Sequence, residues 1–327
     1  MKYLKKHLYI FCILVLNLTI SATNKTIKPP HLQKGDTVAI VAPAGFLKDK
    51  DAIKDGIVLL KEWGLNVVLG EHLFNKHNHF SGTDKERTSD LQKALNDSSI
   101  KAIWCARGGY GTNRVVSNLD FTSFLKNPKW IIGYSDITIL HNAIHNLGVE
   151  TIHGFMASSS SSINQSEINK TLKKALFGGK ISYKVSSSTY NKTGNAEGVL
   201  VGGNLAILSS LLGTPYTLDT EDKILFFEDI GEYLYKIDRM VISLKMNGYF
   251  DNCKGIIIGS INKIPENDPR FVLTVEEIIL NALEGENIPV LFDFPAGHIE
   301  ENNSLIMGRK VSLKVGKKTS KVKFECE

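Results

Sequence analysis

Four apolar runs in the first half of the chain each stop at a glycine-bearing or small-residue turn, with helix-like segments between them. Thr37 to Val41 ends at Ala42-Pro43-Ala44-Gly45. Lys50 to Trp63 then spaces Ile53, Ile57, Leu59, Leu60 and Trp63 close to a helical period, and Gly64 suits a C-cap. Leu65 to Leu69 is a second strand, and Asp84 to Asn96 reads as a helix. Ile100 to Cys105 ends at Arg107-Gly108-Gly109-Tyr110-Gly111. Trp130 to Ile132 ends at Gly133-Tyr134-Ser135-Asp136, and Ile137 to Leu147 reads as a helix. Strands that alternate with helices must run parallel, because each helix carries the chain back to the starting edge. The pattern predicts an α/β domain over residues 30–157, a parallel sheet with helices on both faces.

The rhythm breaks after Ala157. Ser158 to Ser162 and Ser186 to Ser188 are serine runs flanking one amphipathic stretch, Glu167 to Leu176. Residues 158–195 read as a linker between domains, or else as an ordered excursion of the first. Residues 196–327 have a different texture. Gly198 to Val201, Lys223 to Glu228, Gly255 to Gly259 and Pro289 to Phe292 are strand candidates, as are the alternating runs Lys310 to Val315 and Lys321 to Phe324. Tyr235 to Met246 and Val275 to Leu283 are helix candidates, the second opened by a Thr274/Glu277 capping box. A smaller, β-rich C-terminal domain is expected.

Residues 1–22 stand outside this plan. Lys2, Lys5 and Lys6 precede an apolar stretch from Leu8 to Leu18, and small residues lead to Ala22. That is the order of a secretory signal peptide cleaved near Ala22. The apolar run falls short of the ~20 residues of a spanning helix. The expected location is periplasmic or secreted, with the cytoplasm as the alternative. Formal net charge is +5, and the three leader lysines leave the remaining chain near +2 (5 − 3). No basic block stands out, which argues against nucleic acid as a partner. The cysteines after the leader, Cys105, Cys253 and Cys326, make no disulfide framework, and neither HExxH nor zinc-type Cys/His spacing occurs. No metal site and no cofactor are expected.

Several residues carry chemistry. Ser135 sits where a strand turns sharply into a helix, a place that exposes a hydroxyl beside the next backbone N–H. The same position suits an N-cap serine. Arg107-Gly108-Gly109-Tyr110-Gly111 closes the neighbouring strand. Its glycines admit a ligand, and Arg107 offers a fork for a carboxylate; a phosphate-cradling loop or a plain tight turn is the alternative. His298 lies in Phe294-Pro295-Ala296-Gly297-His298, a rigid loop after a strand, and reads equally as a surface histidine. His141, His145 and His153 are the other candidate bases near Ser135. Glu228 ends an apolar strand at a rim where a carboxylate can orient an imidazole, or can serve an ordinary ion pair.

Taken in order, Arg107-Gly108-Gly109-Tyr110-Gly111, Gly133-Tyr134-Ser135-Asp136-Ile137-Thr138, Gly202-Gly203-Asn204-Leu205, Glu228-Asp229-Ile230-Gly231-Glu232 and Pro295-Ala296-Gly297-His298 resemble the motifs of the LD-carboxypeptidase family of serine peptidases. That family includes muramoyltetrapeptide carboxypeptidases and microcin C immunity peptidases. The resemblance runs from about Gly35 to Lys314. It implies a doubly wound N-terminal domain, a β-rich C-terminal domain and a cleft between them. It implies Ser135 as nucleophile, His298 as base and Glu228 as orienting carboxylate, with the amides of Asp136 and Gly109 as the oxyanion hole. Arg107, Gly108, Tyr110 and Asn204 are the expected substrate contacts.

The implied reaction is release of a terminal D-residue from an L-centre in a murein tetrapeptide through an acyl-enzyme, without a cofactor. Detoxification of a peptide–nucleotide antibiotic is the enzymic alternative. A non-catalytic exported binding protein is the other, and a second copy of the chain is a further candidate partner. The export leader departs from family members that work inside the cell.

Overall fold

The computed structural model describes residues 26–326. The leader reading for residues 1–22 therefore lies outside the described residues.

Strands β1 (Thr37–Val41), β2 (Asn66–Leu69), β3 (Ile100–Cys105), β4 (Trp130–Gly133) and β5 (Thr151–His153) form a parallel sheet in the order β2-β1-β3-β4-β5. Helices Lys54–Glu62, Asp84–Asn96 and Thr138–Asn146 lie in the connections between them. Strand β1 has its successor on one side and β3 on the other. The crevice at the carboxyl ends of β1 and β3 is thus the point where the winding reverses, the usual ligand position in such a sheet. The loops that meet there are Ala42–Gly45 and Ala106–Gly111, and the Gly45 amide donates to the Gly108 carbonyl at 2.9 Å.

Strands β6 (Ser182–Ser186), β7 (Gly194–Asn204), β8 (Lys223–Ile230), β9 (Gly255–Asn262), β10 (Val290–Leu291), β11 (Leu305–Met307), β12 (Lys310–Val315) and β13 (Thr319–Phe324) complete the described strands. All but β11 belong to a second sheet, ordered β10-β9-β8-β7-β12-β13-β6. Its β7 to β10 half is parallel, with helices Leu205–Ser210, Leu234–Met246 and Val275–Ala282 in the connections. Its other half is antiparallel. The second domain is therefore β-rich, its one sheet parallel with helical crossovers over β7 to β10 and antiparallel over β7-β12-β13-β6.

Three strands escaped the sequence pattern. β5 and β11 are three residues each, too short to show a period, and they pair antiparallel so that β11 extends the first sheet from the end of the chain. β6 lies inside the expected linker. Segment 158–195 is ordered: helix Ser166–Phe177 buries Ile168, Leu172, Ala175 and Leu176, and β6 takes the edge of the second sheet against β13. Serine-rich composition hid an alternating strand that needs a partner more than 130 residues away, as in the Ser187–Ser320 hydroxyl contact.

The two sheets share one core. Ile132, Ile152 and Phe155 from the first domain join Phe226, Ile257, Phe294 and Leu313 from the second in one contiguous buried cluster. Their junction is packed like a protein interior, so residues brought together across it are held at fixed distances.

Candidate active site

Ser135 follows β4 with φ +61°, a left-handed conformation that is costly for a residue with a Cβ. The strained turn lifts its hydroxyl off the end of the strand, and helix Thr138–Asn146 follows after one turn of 3-10 helix. Gly133 has to be small beside Ile137, whose side chain would lie 2.9 Å from an added Cβ. Gly108 packs straight onto the nucleophile candidate: a Cβ there would lie 3.2 Å from Ser135 Cβ. Gly109 lies one residue further along the same loop, at φ +101° against Gly45.

His298 Nε2 lies 3.1 Å from Ser135 Oγ, across 163 residues of sequence. Its Nδ1 lies 2.7 Å from Glu228 Oε2. A carboxylate only accepts, so Nδ1 carries the proton and Nε2 presents its lone pair to the serine hydroxyl. Glu228 is fully buried, while Ser135 and His298 are part-buried. The histidine loop is pinned on both sides: Gly297 N donates to Asn302 Oδ1 at 2.8 Å, and Asn262 Nδ2 donates to the His298 carbonyl at 2.9 Å. Gly297 has φ +112°, and a Cβ there would come within 2.6 Å of Glu228 Oε2. Only glycine lets the carboxylate reach the imidazole. A serine hydroxyl donating to an imidazole whose far nitrogen is held by a buried carboxylate is the arrangement that activates an alcohol for attack.

The nucleophile turn and the glycine loop are tied together. Asp136 is buried, and its Oδ2 accepts from Thr112 N at 2.8 Å. Burial pushes its carboxyl above the ordinary range. Arg87, also buried, donates to the carbonyls of Pro43 and Gly111. It thereby bridges the two loops of the switch point, and Asp84 neutralises it at 2.5 Å. The sequence pattern gave Arg87 no role, since on a helix it reads as one more surface charge.

The expected substrate contacts divide. Arg107 and Tyr110 are exposed on the glycine loop; Arg107 Nη1 donates to the Phe46 carbonyl at 2.7 Å, and the Tyr110 ring lies 5.4 Å from Phe80. Asn204 is 5 % exposed, and its amide is engaged inside the protein. Nδ2 donates to Asp229 Oδ1 at 3.0 Å and points to Glu228 Oε1 at 3.4 Å, while Oδ1 caps the next helix through Ile207 N. As placed, Asn204 contacts the carboxylates behind the histidine. Tyr134, which the sequence did not single out, lays its ring 4.9 Å from the His298 ring. Burial raises its hydroxyl to a pKa of about 12.

The other candidate bases do not reach Ser135. His141 stitches β4 to β5, with Nε2 2.9 Å from the Gly133 carbonyl and Nδ1 2.9 Å from Thr151 Oγ1. His145 lines a separate cavity of 490 Å³ with Asp219 and Lys223. His153 is fully buried between Tyr134 and Phe226, with no hydrogen-bond partner for either ring nitrogen among the described residues. Burial lowers His141 and His145 to about 4 and His153 well below its ordinary value.

These depressed values make a pH prediction. Unfolded histidines take protons from about pH 6.5 downward, whereas the folded ones stay neutral until about 4, so stability falls across that window. Each group contributes up to about 1.4 kcal/mol per pH unit. Asp136 and Asp229, whose carboxyls are raised, pull the other way. His153→Phe removes one titrating group without breaking a protein hydrogen bond. Urea titrations should find it as stable as the wild type at pH 7 and less sensitive to acid. An unchanged acid slope would contradict this account of His153.

Among the described residues no group of three His, Cys, Asp or Glu side chains is placed to hold a metal ion. No helix among them is long and apolar enough to cross a membrane.

Comparison with known proteins places the chain in a family. The model of the LD-carboxypeptidase N-terminal domain matches residues 38–154, and that of the C-terminal domain matches residues 197–313. The probable murein peptide carboxypeptidase of Bacillus subtilis is 39 % identical over 298 residues, 90 % of this chain and 93 % of that protein. The crystal structure of muramoyltetrapeptide carboxypeptidase from Oxalobacter formigenes superposes with TM-score 0.79 at 27 % identity, covering 88 % of this chain and 98 % of that one. An MccF-like protein from Bacillus anthracis superposes with TM-score 0.80 at 25 % identity, covering 91 % and 100 %. The chain belongs to the LD-carboxypeptidase family and is a serine-type carboxypeptidase, a hydrolase.

Proposed function

We propose that this enzyme removes the terminal D-amino acid from murein tetrapeptides, cutting the bond between an L-centre and that residue through an acyl-enzyme on Ser135. One observation supports the reading above the others: Ser135, His298 and Glu228 form one hydrogen-bonded line, at 3.1 and 2.7 Å, though they come from distant parts of the chain. Ser135 attacks the carbonyl, and His298 takes its proton. Glu228 stabilises the imidazolium, which then protonates the leaving amine. Water releases the acyl group by the same route. The backbone N–H groups of Asp136 and Gly109 hold the oxyanion; losing one such donor costs about 100-fold or more. Arg107 on the exposed glycine loop binds the terminal carboxylate, which restricts cleavage to the last residue. Gly108 gives the peptide room beside the nucleophile, and Tyr110 flanks it.

The murein substrate is supported by the names of relatives, a probable murein peptide carboxypeptidase and a murein tetrapeptide carboxypeptidase, and a secretory leader over residues 1–22 would be consistent with a wall substrate outside the inner membrane. Incubation with muropeptides of defined length and stereochemistry, read by mass, tests this. Tetrapeptides should lose one D-alanine, and tripeptides and all-L analogues should stay intact. Cleavage of all-L peptides at equal rates would contradict it. Likeness to an MccF-like protein favours a second reading, hydrolysis of a peptide–nucleotide conjugate; a preferred turnover of aminoacyl sulfamoyl adenosine over tetrapeptide would select it.

A further inference from the structure

Strand β8 carries two adjacent buried carboxylates near its end, Glu228 at 0 % and Asp229 at 2 % exposure. On a regular strand they would face opposite sides of the sheet. Here the β8–β9 register shifts between Phe227 and Asp229, whose partners are Ile258 and Ile261. Such an irregularity re-aims side chains. Both carboxylates come to contact one amide, that of Asn204.

The orientation of that amide is fixed. Asn204 Oδ1 accepts from Ile207 N at 3.2 Å, so Nδ2 must be the atom between the carboxylates. One bond goes to Asp229 Oδ1 at 3.0 Å, and the second hydrogen is left to aim at Glu228 Oε1 at 3.4 Å. Asp229 is anchored in turn: Oδ1 accepts from Ile230 N at 2.8 Å, and Oδ2 accepts from Ala206 N at 2.9 Å. The Asn204 backbone N–H donates to Thr138 Oγ1 at 2.9 Å, on the helix that begins just after Ser135. Asn204 thereby ties the nucleophile's helix to the orienting carboxylate.

We infer that Asp229 is a positioning residue for the reaction, acting through Asn204 to hold Glu228 so that Oε2 faces His298. This rests on the triad reading above. The anionic form of Asp229 is the one that accepts all three N–H groups. The charged neighbour of Asp229 is Glu228, with His298 beyond Glu228. Burial, and then Glu228, raise its carboxyl to about 6, so the charge is in place at neutral pH.

Asp229→Asn is isosteric, but its NH2 must replace an accepting oxygen: at Oδ2 it breaks the Ala206 anchor, and at Oδ1 it breaks the bonds to Asn204 and Ile230. On a murein tetrapeptide its kcat should fall about 10- to 100-fold, the range a misplaced catalytic group causes, with KM within about twofold. The acidic limb of kcat/KM should move to lower pH, because an anion that favours the imidazolium is gone. Asn204→Ser keeps an oxygen for the helix cap but removes the bridging amide. It should lose kcat to a similar degree, and the double variant should be no slower than the slower single by more than about twofold. Circular dichroism and melting confirm that each variant is folded. Undiminished kcat in folded Asp229→Asn, undiminished kcat in Asn204→Ser, or multiplicative losses in the double variant would overturn the inference. If Asp229→Asn does not fold, Asn204→Ser decides by the same kcat and KM criterion. Ser135→Ala, assayed alongside, separates the two levels: an inert Ser135→Ala with a fully active Asp229→Asn removes this inference alone. An active Ser135→Ala removes the triad beneath it as well.

Discussion

Ser135→Ala is expected to lower kcat by about 10⁴-fold or more, with the fold and substrate binding retained. The side chain is small and part-exposed, and its Oγ bonds His298 Nε2. Alanine leaves no buried group unsatisfied and fills the same space beside Gly108. The strained φ of +61° remains, so stability should change little. Loss of a triad nucleophile costs about 10⁶ in a well-studied serine protease, while oxyanion donors and binding groups preserve a residue of catalysis. Steady-state turnover and calorimetric binding of tetrapeptide to the inert variant give the two numbers. Turnover within about tenfold of wild type would mean that Ser135 is not the nucleophile.

Separating the two halves near Ser188 should remove activity completely, and mixing the pieces should restore it. Ser135 lies on the first piece, and Glu228 and His298 lie on the second. Each piece also loses structural partners. The first loses β11 from the edge of its sheet at β5, and it carries β6 away from β13. The Thr138–Asn204 bond is cut as well. Because Ile132, Ile152 and Phe226 share one core, each isolated piece exposes apolar surface that favours reassociation. Co-expression of residues 26–188 with 189–326 and assay of the pieces, separate and mixed, is the measurement. Hydrolysis by the first piece alone would place the base in the first sheet.

Legibility of the fold in the sequence followed the range of the interaction. Asp84–Asn96, Ile100–Cys105 and Lys310–Val315 coincide with their expected bounds, because apolar spacing and caps such as Thr83/Glu86 specify them locally. β5, β6 and β11 were not legible, because three to five residues carry too little pattern and their pairing is decided by distant strands. The site divides the same way. Gly133-Tyr134-Ser135-Asp136 and Pro295-Ala296-Gly297-His298 have local backbone signatures, a forced turn and a rigid loop, that are visible in the sequence alone. Asn204 stands out through the motif Gly202-Gly203-Asn204-Leu205 alone; that its amide faces two carboxylates depends on a register shift that no local pattern shows. Asp229 lies within a motif but without a role of its own there, and Arg87 within none, because their effect depends on what they touch.

Rapid-quench mass analysis of the enzyme with a murein tetrapeptide tests the central claim most directly. The account predicts a transient adduct equal to the tetrapeptide less its terminal D-alanine, carried on the peptide that contains Ser135 and absent in Ser135→Ala. Tetrapeptide turnover with no adduct under conditions that slow deacylation, or an adduct on any other residue, would contradict it.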